Sequence, residues 1–338
     1  MDLRTAETTL EFAEEASAAA TGPDAKVALE RLETRVDDVL AAMDRFREAG
    51  RIDDAFRVAN ALYRFWITKQ RFAEGAIAFE RVLAAPGGDE LIRGKAALYA
   101  GMMPFWMGDD ARASELFGDA LETGRRLDDA SLTSQALGGL ARVALRTDVP
   151  EARRLAAEAL AVSDAANDEG GRSNALHLLG VGAQVAGDLH EARGWMTQRL
   201  ALVRQTDNQF LIASEAANLS MVERQLGELD AAEALAREAL EIEARTGDQF
   251  TTPFAISGLA SIATERSQFE RAATLVGAAE SIMESQGMAW PPDERPHYEH
   301  LLTVLPEEMG VETFEEARNR GGALTVGDAV AFALGNAI

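Results

Sequence analysis

The sequence predicts an all-α protein, a right-handed α-solenoid of about six helical hairpins with a repeat of about 40 residues and helical caps at both ends. Three observations carry that prediction. The first is composition: 47% of the residues are apolar but only 6% aromatic, so the core has to be assembled mainly from Ala, Leu and Val. Ala, Leu, Arg and Glu favour helix, and with only nine prolines the chain has little tendency toward strands. The second is a recurring turn. Gly187-Asp188-Leu189-His190-Glu191-Ala192 returns as Gly227-Glu228-Leu229-Asp230-Ala231-Ala232 and as Ser267-Gln268-Phe269-Glu270-Arg271-Ala272, at intervals of 40, with earlier copies beginning at Gly108 and Thr147 and a divergent one at Gln70. The third is an independent marker in the same phase, Asp128, Asp168, Asn208 and Asp248, each in a polar stretch that reads as a helix-to-helix turn.

Between the markers apolar residues recur at helical spacing, as in Leu211, Ala213, Ala216, Leu219 and Val222, so each unit is two helices back to back. Gly ends the first because it takes the left-handed cap without steric cost, and the acidic residue after it favours the positive end of the second. Pro150 falls where a first-turn proline is tolerated. The hairpins run at about 52–85, 91–125, 130–165, 170–205, 209–245 and 250–286, inside an array spanning 51–286. An N-terminal cap, 1–50, holds two helices near 3–20 and 24–48; a C-terminal cap, 287–338, starts where Trp290-Pro291-Pro292-Asp293 breaks the pattern. Such atypical ends cover the apolar face that a terminal repeat would leave bare. Small residues begin the inner face of the second helices: Ala113, Ala152, Ala192, Ala232 and Ala272, followed by Ala120, Ala159 and Ala239. With Leu219 and Ser220 ahead of Ala232 and Ala239, this is the pattern of the tetratricopeptide (TPR) repeat, in a unit longer than the usual 34 residues.

Charge and composition exclude several classes of function. With 33 basic and 56 acidic residues the formal net charge is -23, which repels polyanions and argues against direct nucleic-acid binding or an anionic membrane. Only Lys26, Lys69 and Lys95 are lysines, a bias toward Arg that fits a GC-rich bacterial genome. No Cys means no disulfide, thiolate zinc site or thiol nucleophile. The first 20 residues carry Glu7, Glu11, Glu14 and Glu15 where a signal peptide needs a basic start and an apolar run, and no stretch reaches membrane-spanning length, so a cytoplasmic protein is expected.

The tail carries a more specific signal. Arg271-Ala272-Ala273-Thr274-Leu275-Val276-Gly277-Ala278-Ala279-Glu280, then Pro291-Pro292-Asp293-Glu294-Arg295 and Tyr298, and finally Gly322-Ala323-Leu324-Thr325-Val326-Gly327-Asp328-Ala329-Val330, resemble the TPR-like C-terminal region of actinobacterial signal-transduction ATPase transcriptional regulators of the LuxR/MalT/SARP-like kind. Leu62-Tyr63-Arg64-Phe65-Trp66 and Phe79-Glu80-Arg81-Val82-Leu83 resemble the opening of that region. The resemblance implies a sensor or protein-interaction array. It does not extend to a phosphate-binding loop, a helix-turn-helix or a cyclase carboxylate pair, none of which is present, so any ATP- or DNA-directed activity would need another polypeptide or domain.

Alignment to the TPR pattern puts the first helix of each hairpin on the concave groove. That predicts a polar strip of Gln135, Arg142, Arg146, Asn174, His177, Gln184, Ser214, Met221, Arg224 and Gln225, with Val181 among them. These residues either contact a ligand or simply face solvent. Aromatics cluster early, and Tyr63, Trp66, Tyr99, Phe105 and Trp106 form either a pocket or core; Pro104 should kink its helix. Phe210 and Phe250 read as structural. His297 and His300 with Asp293, Glu294 and Glu299 could share a helical face for metal or acid-base work, but the plainer reading is the solvated face of a capping helix, and no metal site is assigned. His190 reads as a surface residue of a repeat turn. No cofactor and no catalytic constellation is expected. The function expected is a non-catalytic binding module for a protein or peptide, or a small effector; the alternatives are a free-standing helical-repeat effector resembling the peptide-controlled phosphatase regulators and, third, a helical-repeat enzyme.

Overall fold

The computed structural model describes residues 1–335 apart from 23, 207, 248–250, 287, 289 and 291–293, and among these residues the chain forms seventeen α-helices and no strand. Asp248, Phe250, Pro291, Pro292 and Asp293 lie outside the described residues. After α1 (Leu3–Ala19) and α2 (Ala25–Glu48), helices alternate as the periodicity predicts: α3 (Ile52–Thr68) and α4 (Phe72–Leu83), α5 (Glu90–Met107) and α6 (Asp110–Arg126), α7 (Ala130–Ala144) and α8 (Val149–Ala166), α9 (Glu169–Val185) and α10 (Leu189–Val203), α11 (Gln209–Gln225) and α12 (Leu229–Thr246), α13 (Thr252–Glu265) and α14 (Phe269–Ser285). Then follow α15 (Arg295–Met309), α16 (Val311–Gly322) and α17 (Val326–Ala333). The chain forms two compact units, Met1–Gly182 and Ala183–Ile338.

The turns explain the sequence markers. Gly108, Gly187 and Gly227 have φ of 84°, 83° and 82°, and Gln70 and Ser267 adopt the same left-handed conformation at 55° and 57° at the matching places. The 40-residue polar marker is a set of N-caps: the Asp168 and Asn208 carboxylate and amide oxygens accept from the Gly171 and Leu211 amides at 3.0 and 3.1 Å. In the α6–α7 turn the cap is Asp129, accepting from Leu132 at 2.7 Å, while Asp128 itself takes the left-handed position.

In the first unit α1 packs on α2 and α2 on α3, and the large rings gather there: Phe46, Phe56, Phe65, Trp66 and Phe79 are fully buried in one core. Beyond it Phe117, Leu132 and Leu137 are still fully buried, and small residues stand between them. Ala113, Ala120, Ala152 and Ala159 are at most 1% exposed, so helices approach closely where no large side chain intervenes. Pro104 does not interrupt α5, which runs past it to Met107 and stops at the left-handed Gly108.

The second unit repeats this with Ala192, Ala232, Ala239 and Ala272, all fully buried. Its core also holds an ion pair. The Arg199 guanidinium of α10 donates to the Glu215 carboxylate of α11, with side chains 4% and 0% exposed, and Asn218 adds a hydrogen bond at 3.3 Å. Two desolvated charges tolerate each other only as a pair. At the C-terminal end α16 lies directly on α14. A Cβ on Gly277 would sit 1.9 Å from the Arg318 carbonyl oxygen, and one on Gly321 would sit 1.8 Å from that of Thr274, so two helix backbones touch where both lack a side chain. Glu280 closes the same corner, accepting from Arg318 Nε at 2.6 Å and from the Tyr298 hydroxyl of α15.

Two stability outcomes follow. Gly277→Ala is expected to cost about 1–3 kcal/mol through overpacking, whereas Gly194→Ala, on an exposed part of α10 with no atom near its Cβ position, should stabilise by about 0.5–1 kcal/mol; urea denaturation of both variants checks this, and equal effects would contradict the α14–α16 contact. Arg199→Met should cost about 3–5 kcal/mol alone, with much of the loss recovered when Glu215→Leu is added; a double variant no better than the single one would show that the pair is not the source of the cost.

Candidate functional site

A pocket of ≈ 260 Å³ opens in the first unit among the first helices of successive hairpins. Tyr63 of α3 and Tyr99 of α5, one repeat apart in sequence, stack with centroids 4.4 Å apart and planes at 16°, forming one wall. The apolar floor is Leu98, Met102 and Phe117. Phe117 reaches it because Gly101 and Gly139 make room: a Cβ at either would come within 2.6 and 2.5 Å of the ring. The opposite wall is polar. Arg142 Nη2 donates to Asn174 Oδ1 at 2.8 Å, bridging α7 and α9, and Gln135 is steadied by a 3.1 Å hydrogen bond to Ser131 Oγ. Gly138 lies where a Cβ would collide with the Asn174 amide, so the small residue admits that bridge. The described lining carries one cation, Arg142, and no carboxylate, in a chain with 56 acidic residues. Burial pushes the Tyr63 phenol up to about 12, the nearby Arg142 acting weakly against it, and burial also raises Tyr99.

A larger pocket of ≈ 620 Å³ lies among α4, α5 and α6, but its cations are already employed. Arg93 donates to the carbonyls of Leu83 and Gly87 at 2.8 Å, Arg112 pairs with Glu115 at 2.6 Å and Arg126 pairs with Glu90. It reads as an inter-hairpin crevice knitted by the fold.

The structure thus gathers two sets of sequence candidates that were separate, Tyr63 and Tyr99 from the aromatic group and Gln135, Arg142 and Asn174 from the polar strip. The other aromatics are placed elsewhere. Trp66 and Phe105 are core, at 0% and 7% exposure, and Trp106 stacks on Phe72 at 6.3 Å. Arg146 is structural: it donates to Asp110 at 2.6 Å and to the Phe105 carbonyl at 2.9 Å, with its guanidinium over the Phe105 ring. His177 is half-buried on α9 and does not line the pocket.

In the second unit the expected strip is covered. Gln184 and Met221 are buried against each other, Nε2 to Sδ at 2.9 Å, and Ser214 is half-buried. Arg224 pairs with Glu265 at 2.9 Å and meets His297 Nδ1 at 3.0 Å, while Gln225 meets His297 Nε2. The expected solvated face for His297 is therefore corrected: it turns inward, and burial with the charges of Arg224 and His300 lowers its pKa to about 4. Sequence reasoning missed this contact because the partners are more than 70 positions apart; it also missed Met102, Phe117 and Gly139, which look like ordinary core. His190 is exposed, as expected. Among the described residues no group of three His, Asp or Glu side chains is placed to hold a metal ion, and no helix is long and apolar enough to cross a membrane.

No protein-family model matches the sequence, and no curated protein matches it. Solved structures do. A Rap protein complexed with Competence and Sporulation Factor has 13% identity and a TM-score of 0.56, covering 98% of this chain and 96% of that one. NprR in complex with its cognate peptide NprX has 13% identity and a TM-score of 0.54, covering 88% and 90%. A signal-transduction ATPase with numerous domains, carrying a tetratricopeptide repeat sensor, from Pyrococcus horikoshii has 12% identity and a TM-score of 0.53, covering 93% of this chain and 49% of that one. At these identities the likeness is one of fold, and the fold is the TPR-like helical-repeat solenoid.

The tyrosine wall gives a pH signature. Tyr63 keeps its proton in the folded state up to about 12, whereas an unfolded tyrosine loses it near pH 10, so folding stability is complete below that and falls between pH 10 and 12 by about 1.4 kcal/mol per unit for one such group. Tyr63→Phe should flatten part of that fall in denaturation curves taken from pH 9 to 12; an unchanged slope would mean the phenol titrates normally.

Proposed function

We propose that the chain is a non-catalytic TPR-type binding module of a bacterial regulatory system, working in the cytoplasm, and that it takes a peptide or protein segment on the first-helix face of its N-terminal unit. The observation that carries this reading is the pocket itself: consecutive hairpins contribute Tyr63, Tyr99, Gln135, Arg142 and Asn174 to one opening with an apolar floor. Its volume suits a single large side chain, not a whole effector, so the pocket is a specificity point within a longer contact. A stacked ring wall beside an arginine, with no carboxylate in the lining, favours an apolar or aromatic group close to a negative charge. The NprR structure, in complex with its cognate peptide NprX, supports a peptide ligand in a fold of this kind. The sensor region of an ATPase regulator, as the tail motifs imply, is the context we favour, and the sensor-bearing ATPase among the similar structures supports it.

A second reading is a free-standing, peptide-controlled regulator that acts on a response-regulator-like partner. The specific observation in its favour is the length of the correspondence with the Rap structure, which includes α1 and α2 ahead of the repeats.

The test is a thermal-shift screen of the chain against peptides bearing an aromatic or aliphatic residue next to Asp, Glu or a C-terminal carboxylate, with amidated and Lys-substituted versions alongside. Titration calorimetry of any hit should show Arg142→Ala and Tyr63→Ala each weakening binding about tenfold or more, the loss expected for one charge-assisted hydrogen bond or one ring contact. Unchanged affinity in both variants would move the ligand away from this pocket.

A further inference from the structure

We infer that the face of α11 and α13 bearing Arg224 and Phe254 is a second docking surface, suited to a partner segment that presents a carboxylate, and that α15 with Trp290 occupies it in cis as an imperfect substitute.

The imperfection is chemical. Arg224 Nη2 lies 3.0 Å from His297 Nδ1, and the Gln225 side-chain amide lies against Nε2. A guanidinium only donates, so Nδ1 must accept and Nε2 must keep the ring's proton; Gln225 then has to offer its oxygen, not its NH2 group. A neutral imidazole therefore satisfies one donor where α11 can present two. A carboxylate in the same place accepts from Arg224 and Gln225 together, with charge assistance from the arginine. Arg224 is held in position for this by Glu265 of α13, which takes its other nitrogen at 2.9 Å. Burial first, and then the charges of Arg224 and His300, keep the His297 imidazole neutral at this position.

The anchoring of α15 is also slight. Only Leu301 and Leu305 are buried among its residues, whereas most of α13 is. α15 also packs on α13, α14 and α16 with half-buried residues, and side-chain contacts tie down its start: Trp290 stacks on Tyr298 at 4.5 Å and meets the Phe254 edge at 6.0 Å, and the Tyr298 hydroxyl donates to Glu280. A helix with only two buried leucines, whose neutral imidazole accepts from Arg224 without charge assistance, can be exchanged for a segment that presents a carboxylate there. The partner class is accordingly an acidic peptide carrying an aromatic residue. This surface lies in the second unit, and its test does not depend on the pocket of the first.

Hydrogen exchange of the 338-residue chain reads the displacement. His297→Arg, which sets two cations against each other, should raise exchange across α15 about tenfold or more, and His297→Glu should slow it below wild type, while α1 to α8 stay unchanged in both. A fluorescein-labelled synthetic peptide of residues 288–309 carrying His297→Glu is then titrated in trans. It should bind the His297→Arg chain at least tenfold more tightly than wild type, and adding Arg224→Ala should remove that gain. Exchange in α15 that ignores the charge at position 297, or a peptide that binds neither protein or both equally, overturns the inference.

Discussion

Helices with few aromatic side chains hold together by bringing their backbones close, and that constraint organises this chain. At the start of each second helix from α6 to α14 stands a buried alanine, from Ala113 to Ala272, and at the close approach of Gly277 and Gly321 even the Cβ is missing. Dispersion falls steeply with separation, so small residues at fixed intervals supply through proximity what large side chains supply elsewhere through area. The left-handed turns at Gly108, Gly187 and Gly227 serve the same end by ending the first helix so that the chain can fold back on it. The N-terminal core is the exception: its rings meet the two leading helices, which lack the alanine register of the array.

The two faces of the structure divide labour. Second helices carry the regular small-residue spacing, while the first helices carry most of the polar and aromatic side chains described above. In the first unit they leave an opening with a tyrosine wall and an arginine bridged to an asparagine. In the second they place Arg224 and Gln225 beneath the chain's own C-terminal helix. On the reading we propose, one unit offers a prepared site and the other a site already filled.

Charge has a similar double role. A chain carrying a net -23 repels itself, and its arginines offset that by pairing along and between helices, as Arg204 does with Glu238 and Arg266 with Asp230. Most such pairs are exposed and contribute little individually. The exceptions are the arginines kept out of water, Arg199 with Glu215 and Arg224 with Glu265, and the pocket arginine Arg142. Those are the positions where removing one partner has consequences beyond the surface.

By itself the sequence determined the local architecture. A period of 40 residues and a left-handed turn are local statements, so the hairpins, their order and the buried alanines were legible without coordinates; Asp168 and Asn208 were legible as turn residues, and the structure makes them N-caps. The tyrosines and the polar strip were legible as candidates, but not as one site. Tyr63 and Arg142 meet only because intervening helices bring them round to one opening, and Trp66 and Phe105 turned to core because a ring's burial depends on what packs opposite, which periodicity does not encode. The same holds for His297: helical spacing placed it on a face, and only the packing of α15 decided that the face looks inward to Arg224. Local pattern sets what each helix is; contacts between residues far apart in the chain set what each side chain does.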